Sequence, residues 1–557
     1  MPIDLLLVRH GERHPVLEQS LPSLAGADGF IERQIVEDGI MRNDMADPQS
    51  LEKQGWGIVV TDDKNGDELL GAIADLRAVR TAQQGRDAKV YRVAAGMNAE
   101  SAARWKRDVY WDSNVSREER PKYLLILGDL DGVSLEFQQM IAADTYTGRL
   151  AFNNLQGYTD YVKKVLQWEK EPSAQASSRA MFYTVRDGTP ATATGARKLV
   201  SPLVDSCARI QKDATSHISD IVEIPHEYGS PDPIAAMLQR VSDPRPGLFF
   251  SVSHGLGPPR GGFDSSDERR ALQGAMCFDN GKVLTGADLE GQPFLPGGVW
   301  FMLSCYGGAT PAASAYQRWL KVLRQNNAYR DSADAVLEGL PRSGERPFVA
   351  AIPRAVLANP QGPLAVIAHA DLAWSCAFDE MSSSQNHAER FEGLVAGTLQ
   401  ANRIGTAFHD LYRFFTEMNN ELSTRYDSDT ESKERDWIVE RSRLWMVRND
   451  LAGYMLLGDP AVRLPLAGTG SNVAVGKTEK PSTNEKARRF VVMGPASPKP
   501  APRAAVDETT RERAVIAVLA GESAQNVATR MQLQADELTR WAAAYREAGL
   551  TALRQVR

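Results

Sequence analysis

The sequence predicts an α/β fold, a mainly parallel sheet flanked by helices, with a small all-α module behind it. Three observations carry that expectation. Two apolar runs of strand length, Leu248–Ser253 and Val299–Ser304, are rich in aromatic and β-branched residues and bounded by Pro and Gly, as in strands covered on both faces. Strand-like and helix-like segments alternate from the start of the chain to near residue 120, the pattern of a wound α/β layer. Beyond residue 466 the composition turns to Gly, Ser, Lys and Pro and then becomes periodic again at helical spacing.

Taken in order, the 557 residues are too many for one ordinary core, so several domains are expected. Strands are predicted near residues 3–8, around Leu5-Leu6-Leu7-Val8, at Gly57–Val60 and at Lys89–Val93, with a helical segment over Glu68–Gln84. The continuous apolar run Tyr123–Leu127 is a further strand and ends in Gly128-Asp129-Leu130-Asp131. A segment from Asp144 to Leu150 and a helix holding Tyr158, Tyr161, Lys164 and Glu169 come next. From Ala467 to Val506 the chain reads as a linker, stiffened by Pro498-Lys499-Pro500-Ala501-Pro502. The tail then offers helices at Arg511–Ala520, Ala524–Met531 and Asp536–Ala548. Val515, Val518, Leu519, Val527, Met531, Leu538, Trp541 and Tyr545 fit a three-helix core.

Composition narrows the class. With 43% hydrophobic and 24% charged residues and a mean hydropathy of -0.35, the chain is of globular type. It holds no run of uncharged apolar residues long enough for a membrane helix, so no membrane partner is expected. The start of the chain lacks a basic stretch, and Arg9-His10 interrupts its apolar run, so a cytoplasmic setting is expected rather than secretion. Four scattered cysteines, Cys207, Cys277, Cys305 and Cys376, make no secreted disulfide framework. Without CxxC or HExxH a zinc site has little support, and the cysteine–histidine chemistry read below needs no metal, so no cofactor is expected. The net charge of -7 gives no global footprint for nucleic acid.

The two apolar runs end in reactive side chains. The first stops at His254-Gly255 and the second at Cys305, ahead of Gly307-Gly308. Reactive groups in open α/β sheets sit beyond the carboxyl ends of strands, and both residues fall there. A cysteine attacks a carbonyl as thiolate, and a histidine supplies the base that forms it and the acid that protonates the leaving amine. The plain alternative is a buried structural thiol beside a satisfied core histidine.

Here the sequence resembles a family. A strand ending in Gly128-Asp129, then Asp144-Thr145-Tyr146, Gly148-Arg149-Leu150 and the Tyr158–Tyr161–Lys164 helix are similar to the first catalytic subdomain of gingipain-type cysteine peptidases. His254-Gly255 and Ser304-Cys305 resemble the signature that this clan shares with caspases, separase and CHAT-domain proteins, and their spacing of about 50 residues is caspase-like. The segment from Phe278 to Leu289 looks like one found between the dyad residues of CHAT-like members. Leu357–His369 and Leu457–Leu464 resemble later parts of the fold.

The resemblance implies a caspase/gingipain-like fold of two subdomains, residues 1–175 and 176–466, followed by a linker, 467–508, and a helix-turn-helix-like module, 509–557. It implies a bacterial cysteine endopeptidase with Cys305 as nucleophile and His254 as general acid/base, and an oxyanion hole made by the N–H groups of Gly255 and Cys305. By the same likeness Asp144, with Asp288 second, is the candidate carboxylate for a substrate Arg or Lys, and Asp129 is the candidate to orient His254. Turn and cap roles suit these aspartates as well.

Two rivals stand beside this reading. Arg9-His10-Gly11-Glu12-Arg13-His14-Pro15 matches the RHGxRxP signature of histidine acid phosphatases, with His409-Asp410 as the distant acid pair. A non-catalytic scaffold with a peptidase fold is the other. For the tail, seven Lys/Arg against five Asp/Glu over residues 511–557 weaken a role in binding DNA, and recruitment of a regulatory protein fits at least as well. The expected partners are therefore a protein substrate and a recruiting protein, within a defence or stress pathway.

Overall fold

The computed structural model describes residues 3–22 except Arg13, Ala25, residues 47–172, 177–213, 216–379, 386–427 and 435–467, and a few positions between 514 and 541. It divides into two compact units, Met1–Val475 and Gly476–Arg557.

The first unit is an α/β fold built on a ten-stranded sheet. Its strands, with those of two smaller sheets, are β1 (Leu7–Arg9), β2 (Trp56–Thr61), β3 (Lys89–Val93), β4 (Tyr123–Leu127), β5 (Tyr146–Leu150), β6 (Ser178–Thr184), β7 (Ile218–Ile224) and β8 (Gly247–Val252). They continue as β9 (His254–Gly257), β10 (Met276–Cys277), β11 (Val283–Leu284), β12 (Val299–Leu303), β13 (Ala309–Thr310), β14 (Phe348–Val349), β15 (Ala365–His369) and β16 (Tyr454–Leu457). The large sheet runs β3-β2-β4-β5-β16-β15-β12-β8-β6-β7, and every neighbouring pair is parallel except β15 with β16. The expected mainly parallel sheet is thus present. It has two blocks of opposite direction, and strands from both sides of residue 175 belong to it.

β4, β8, β12 and β15 are buried along their whole length, which is why each reads as an unbroken apolar run. Aromatic pairs fix the register of β8 on β12: Phe250 stacks on Phe301 at 4.4 Å and Phe249 on Trp300 at 5.8 Å, both directly opposite each other. A slip of one residue would turn these rings to the other face.

Helices cover the sheet. Leu155–Lys170 packs on Ala351–Ala358 and on Lys64–Ala72, while Glu389–Leu399 packs on Ser201–Gln211 and β8. The predicted helix over 68–84 is two helices, Lys64–Ala72 and Ala74–Gln84, broken at Ile73. The first predicted strand lies outside the large sheet. β1 joins a four-stranded sheet ordered β1-β9-β10-β11, parallel to β9.

In the second unit Ala514, Val515, Val527, Ala528 and Leu538 are buried together, with Leu533 and Trp541 packed against them. Val518, Leu519, Met531, Tyr545 and the linker from residue 468 lie outside the described residues. Among the described residues no helix is long and apolar enough to cross a membrane.

Candidate active site

β8 and β12 are parallel neighbours with Val252 opposite Leu303, so the chain beyond each strand emerges at one edge. Ser253 N donates to Leu303 O at 3.1 Å and ties the two exits together. β9 then starts at His254, and Cys305 follows β12 after Ser304. Gly255 makes the close approach possible, since a Cβ there would lie 1.8 Å from the carbonyl oxygen of Cys305. Tyr306, next after the cysteine, has φ 58 and is fully buried, a left-handed conformation that costs a non-glycine residue about 1–3 kcal/mol.

His254 is 1% exposed. Its Nε2 lies 3.3 Å from Asp187 Oδ2 and 3.0 Å from Thr189 Oγ1. Thr189 Oγ1 in turn donates to Asp187 Oδ1 at 2.8 Å, and Asp187 Oδ1 also accepts from Thr189 N and Thr192 Oγ1. With the threonine proton directed at Asp187, the hydrogen on the imidazole belongs on Nε2, donated to these oxygens. Nδ1, buried and without a hydrogen-bond partner among the described residues, then carries the basic lone pair. Burial pushes the imidazole below its ordinary range, and the carboxylates of Asp187 and Asp4 pull against that shift.

Cys305 is fully buried. Its Sγ accepts from Ala373 N at 3.2 Å and donates towards Ala373 O at 3.6 Å, and burial pushes the thiol well above its ordinary range. The loop carrying Ala373 is held from below. Asp450 accepts from Trp374 N and Ala377 N, each at 2.9 Å, and burial pushes its carboxyl up to about 8. Asp371 accepts from Leu372 N and Ala315 N, each at 2.8 Å, and burial pushes it up to about 6.

The N–H groups of Gly255 and Cys305 converge on one oxygen. Gly255 N donates to Leu6 O at 2.7 Å and Cys305 N donates to the same atom at 3.1 Å. The backbones of His254-Gly255 and Cys305 thus lie at one sheet edge, with the two N–H groups on one oxygen.

The aspartates singled out earlier sit in other company. Asp129 accepts from Val349 N and Leu130 N and pairs with Arg270 at 2.7 Å, while the carboxylate against His254 is that of Asp187. Asp144 pairs with Lys106 at 2.8 Å and accepts from Trp111 Nε1 at 3.1 Å. Asp288 closes a capping box with Thr285. Asp279, in the segment between the dyad residues, binds His226 Nε2 at 3.1 Å and Gly229 N at 2.6 Å, while Tyr183 Oη lies 2.6 Å from His226 Nδ1. Of the rival signature, Arg9 is held by Glu338 and Ala335 O, and the half-buried ring of His409 packs on Tyr146. Arg13 lies outside the described residues.

Sequence reasoning missed Asp187 and Thr189. Their signal is Asp187-Gly188-Thr189-Pro190 just past β6, the neighbour of β8, but such a turn reads as punctuation before a helix. A cleft of about 970 Å³ is lined by Asp129, Arg269, Arg270 and Phe348 among others, and neither His254 nor Cys305 lines it.

Neither a family model nor a curated protein matches the chain. Among solved structures it is similar to one described as "Structure of Protease", at 12% identity over 73% of this chain and 78% of that one, with a TM-score of 0.42. It is also similar to the Arg specific cysteine proteinase gingipain R (RGPB), at 10% identity over 74% and 79% of the two chains and a TM-score of 0.42. A third is the complex of Porphyromonas gingivalis RgpB pro- and mature domains, at 10% identity over 74% and 80%, with the same TM-score of 0.42. A likeness at that level assigns neither residue nor activity to this chain.

Proposed function

We propose that this chain is a cysteine endopeptidase acting on protein substrates, with Cys305 as nucleophile and His254 as general acid/base. The observation that carries the reading is the convergence of the Gly255 and Cys305 N–H groups on a single carbonyl oxygen, at 2.7 and 3.1 Å, directly at the thiol-bearing residue. Donors at such distances are what a tetrahedral oxyanion needs. In the proposed cycle the Cys305 proton passes to His254 Nδ1, and the thiolate sulfur bonds to the substrate carbonyl carbon. The oxyanion that forms is held by the two N–H groups. Its collapse breaks the C–N bond, and the departing amine takes the proton from His254. Water, deprotonated by His254, then releases the acid from the thioester and restores the thiol. Asp187 and Thr189 hold the imidazole in the tautomer this cycle uses and stabilise its cation, as positioning residues.

Three further elements belong to the proposal: a cytoplasmic setting, a role in a defence or stress pathway, and recruitment of a partner protein by residues 509–557. Unchanged partner binding after deletion of 467–557 would remove the last. For the chemistry, a peptidyl electrophile is expected to label wild type and Cys277→Ala but not Cys305→Ala. Cys277 is the proper control because it is a buried thiol paired opposite His254 on β10. Labelling that survives Cys305→Ala would refute the assignment.

A further inference from the structure

The oxygen held by the two N–H groups belongs to the chain itself. Leu6 donates its own N–H to Ala373 O at 3.4 Å, the residue whose backbone brackets Cys305 Sγ. Before it, Leu5 bridges antiparallel to Trp374. After it, Leu7 enters β1 and runs parallel to β9, opposite Gly255. Residues 5–9 are thus an added strand lying between β9 and the loop at 373–374, the way a cleft takes an extended peptide through main-chain hydrogen bonds. β9 makes room for it, since a Cβ on Gly257 would come 2.8 Å from Leu7 Cδ1.

The strand is apolar where it crosses the dyad. Leu5, Leu6 and Leu7 are 1%, 2% and 0% exposed. Asp371 and Asp450, which bear electrostatically on Cys305, are each engaged by two loop N–H groups, so they do not wait for a cationic head. A guanidinium or ammonium buried there without a partner would be costly.

From this geometry we infer that residues 3–9 are a built-in substrate mimic, with Leu6 in the place of the residue on the acyl side of the bond attacked. The cleft then accepts extended peptides with an aliphatic residue at that position, and it turns over only when the segment has left. The inference rests on the peptidase reading above and sharpens it. A covered site also accounts for a thiol that burial keeps protonated in this state.

The test uses the full-length chain, its Leu6→Glu variant and a pair of reagents, acetyl-Ile-Asp-Leu-Leu fluoromethyl ketone and its twin ending in Arg. Attachment to Cys305 is followed by mass spectrometry and folding by thermal unfolding. Leu6→Glu should be labelled roughly tenfold faster than wild type or more, because the competent fraction grows. The Leu-ended reagent should outpace the Arg-ended one by a similar factor. Should Leu6→Glu not fold, Leu6→Ala replaces it with the same expected direction, and the ratio of the reagents on wild type stands by itself. Equal labelling of wild type and variant, or preference for the Arg-ended reagent, overturns the mimic while leaving the peptidase. Failure of both reagents on every protein overturns the peptidase reading itself.

Discussion

Two buried polar clusters in the first unit are built on opposite terms. Around Arg80, every charge is answered: the guanidinium donates to Asp459 at 2.8 Å and to Glu169 at 2.6 and 2.8 Å, and Asp459 also accepts from Trp56 Nε1 at 2.9 Å. Burial opposes the Arg80 charge, and the two carboxylates more than offset it, holding the group above its ordinary range. Tyr161 completes the cluster by donating to Leu364 O at 2.9 Å while accepting from Asp459 N at 2.7 Å. Around Cys305 the opposite holds. His254 Nδ1, Ser253 Oγ, Ser304 Oγ and Tyr306 Oη are buried without hydrogen-bond partners among the described residues, and Tyr306 is left-handed. A folded chain tolerates orphaned groups and strain where the surrounding structure enforces them. The satisfied cluster joins the sheet to its helices; the unsatisfied one is where the proposed dyad stands.

That contrast can be broken by separating rate from stability. Cys305→Ala is expected to lower peptide cleavage by a factor on the order of 10⁴ or more while shifting the unfolding temperature by only a few degrees. A collapse of the fold instead would erase the distinction between the clusters. Arg80→Ala should do the reverse, costing about 3–5 kcal/mol in urea unfolding because Asp459 is left buried and unpaired. The molecules that remain folded should keep their rate. Asp187→Asn is expected to reduce kcat by roughly a hundredfold or more with little change in KM, through loss of the correct tautomer. The matched Asp129→Asn should leave kcat nearly unchanged, and equal losses in the two would show that Asp187 does not position His254.

The last prediction concerns pH. The Asp450 carboxyl, ordinarily near 3.8, is pushed up to about 8 by burial, so the folded chain keeps a proton that the unfolded chain releases. Its contribution to stability is present in full below about 3.8 and is lost as pH rises towards 8. Urea midpoints measured across that window should fall less steeply in Asp450→Asn than in wild type. An unchanged slope would mean that the loop beneath Cys305 is not held by a protonated carboxyl.

Much of this was legible in the residues, and the reason is burial. Strands covered on both faces need apolar side chains at every position, so β4, β8 and β12 appear in the sequence at nearly their observed bounds, with His254 and Cys305 just past two of them. The contact that demands glycine at 255, a carbonyl oxygen of Cys305 within 1.8 Å of any Cβ, was not legible, because it lies between segments 50 residues apart. What escaped was partnership. Asp129, Asp144, Asp187 and Asp288 are chemically alike and all lie in turn-like sequence, yet one meets His254, two meet cations and one caps a helix. The break of the 68–84 helix at Ile73 was passed over although Gly71 stands two residues before it, because a lone glycine inside a helical pattern is tolerated as well as terminating.

The sequence by itself determined the strands that read as unbroken apolar runs, β4, β8 and β12, and the reactive groups that end two of them, because local pattern and hydrophobicity act over a few neighbouring residues. Tertiary structure alone decided which block of strands runs against the other, which aspartate faces the imidazole, and where Leu5-Leu6-Leu7 goes. The apolar run near the start of the chain predicted a strand and nothing about its neighbours. Backbone hydrogen bonds are the same for every sequence, so only the meeting of β9, Cys305 and the loop at Ala373 placed the Leu6 carbonyl between two N–H groups some 250 and 300 residues away.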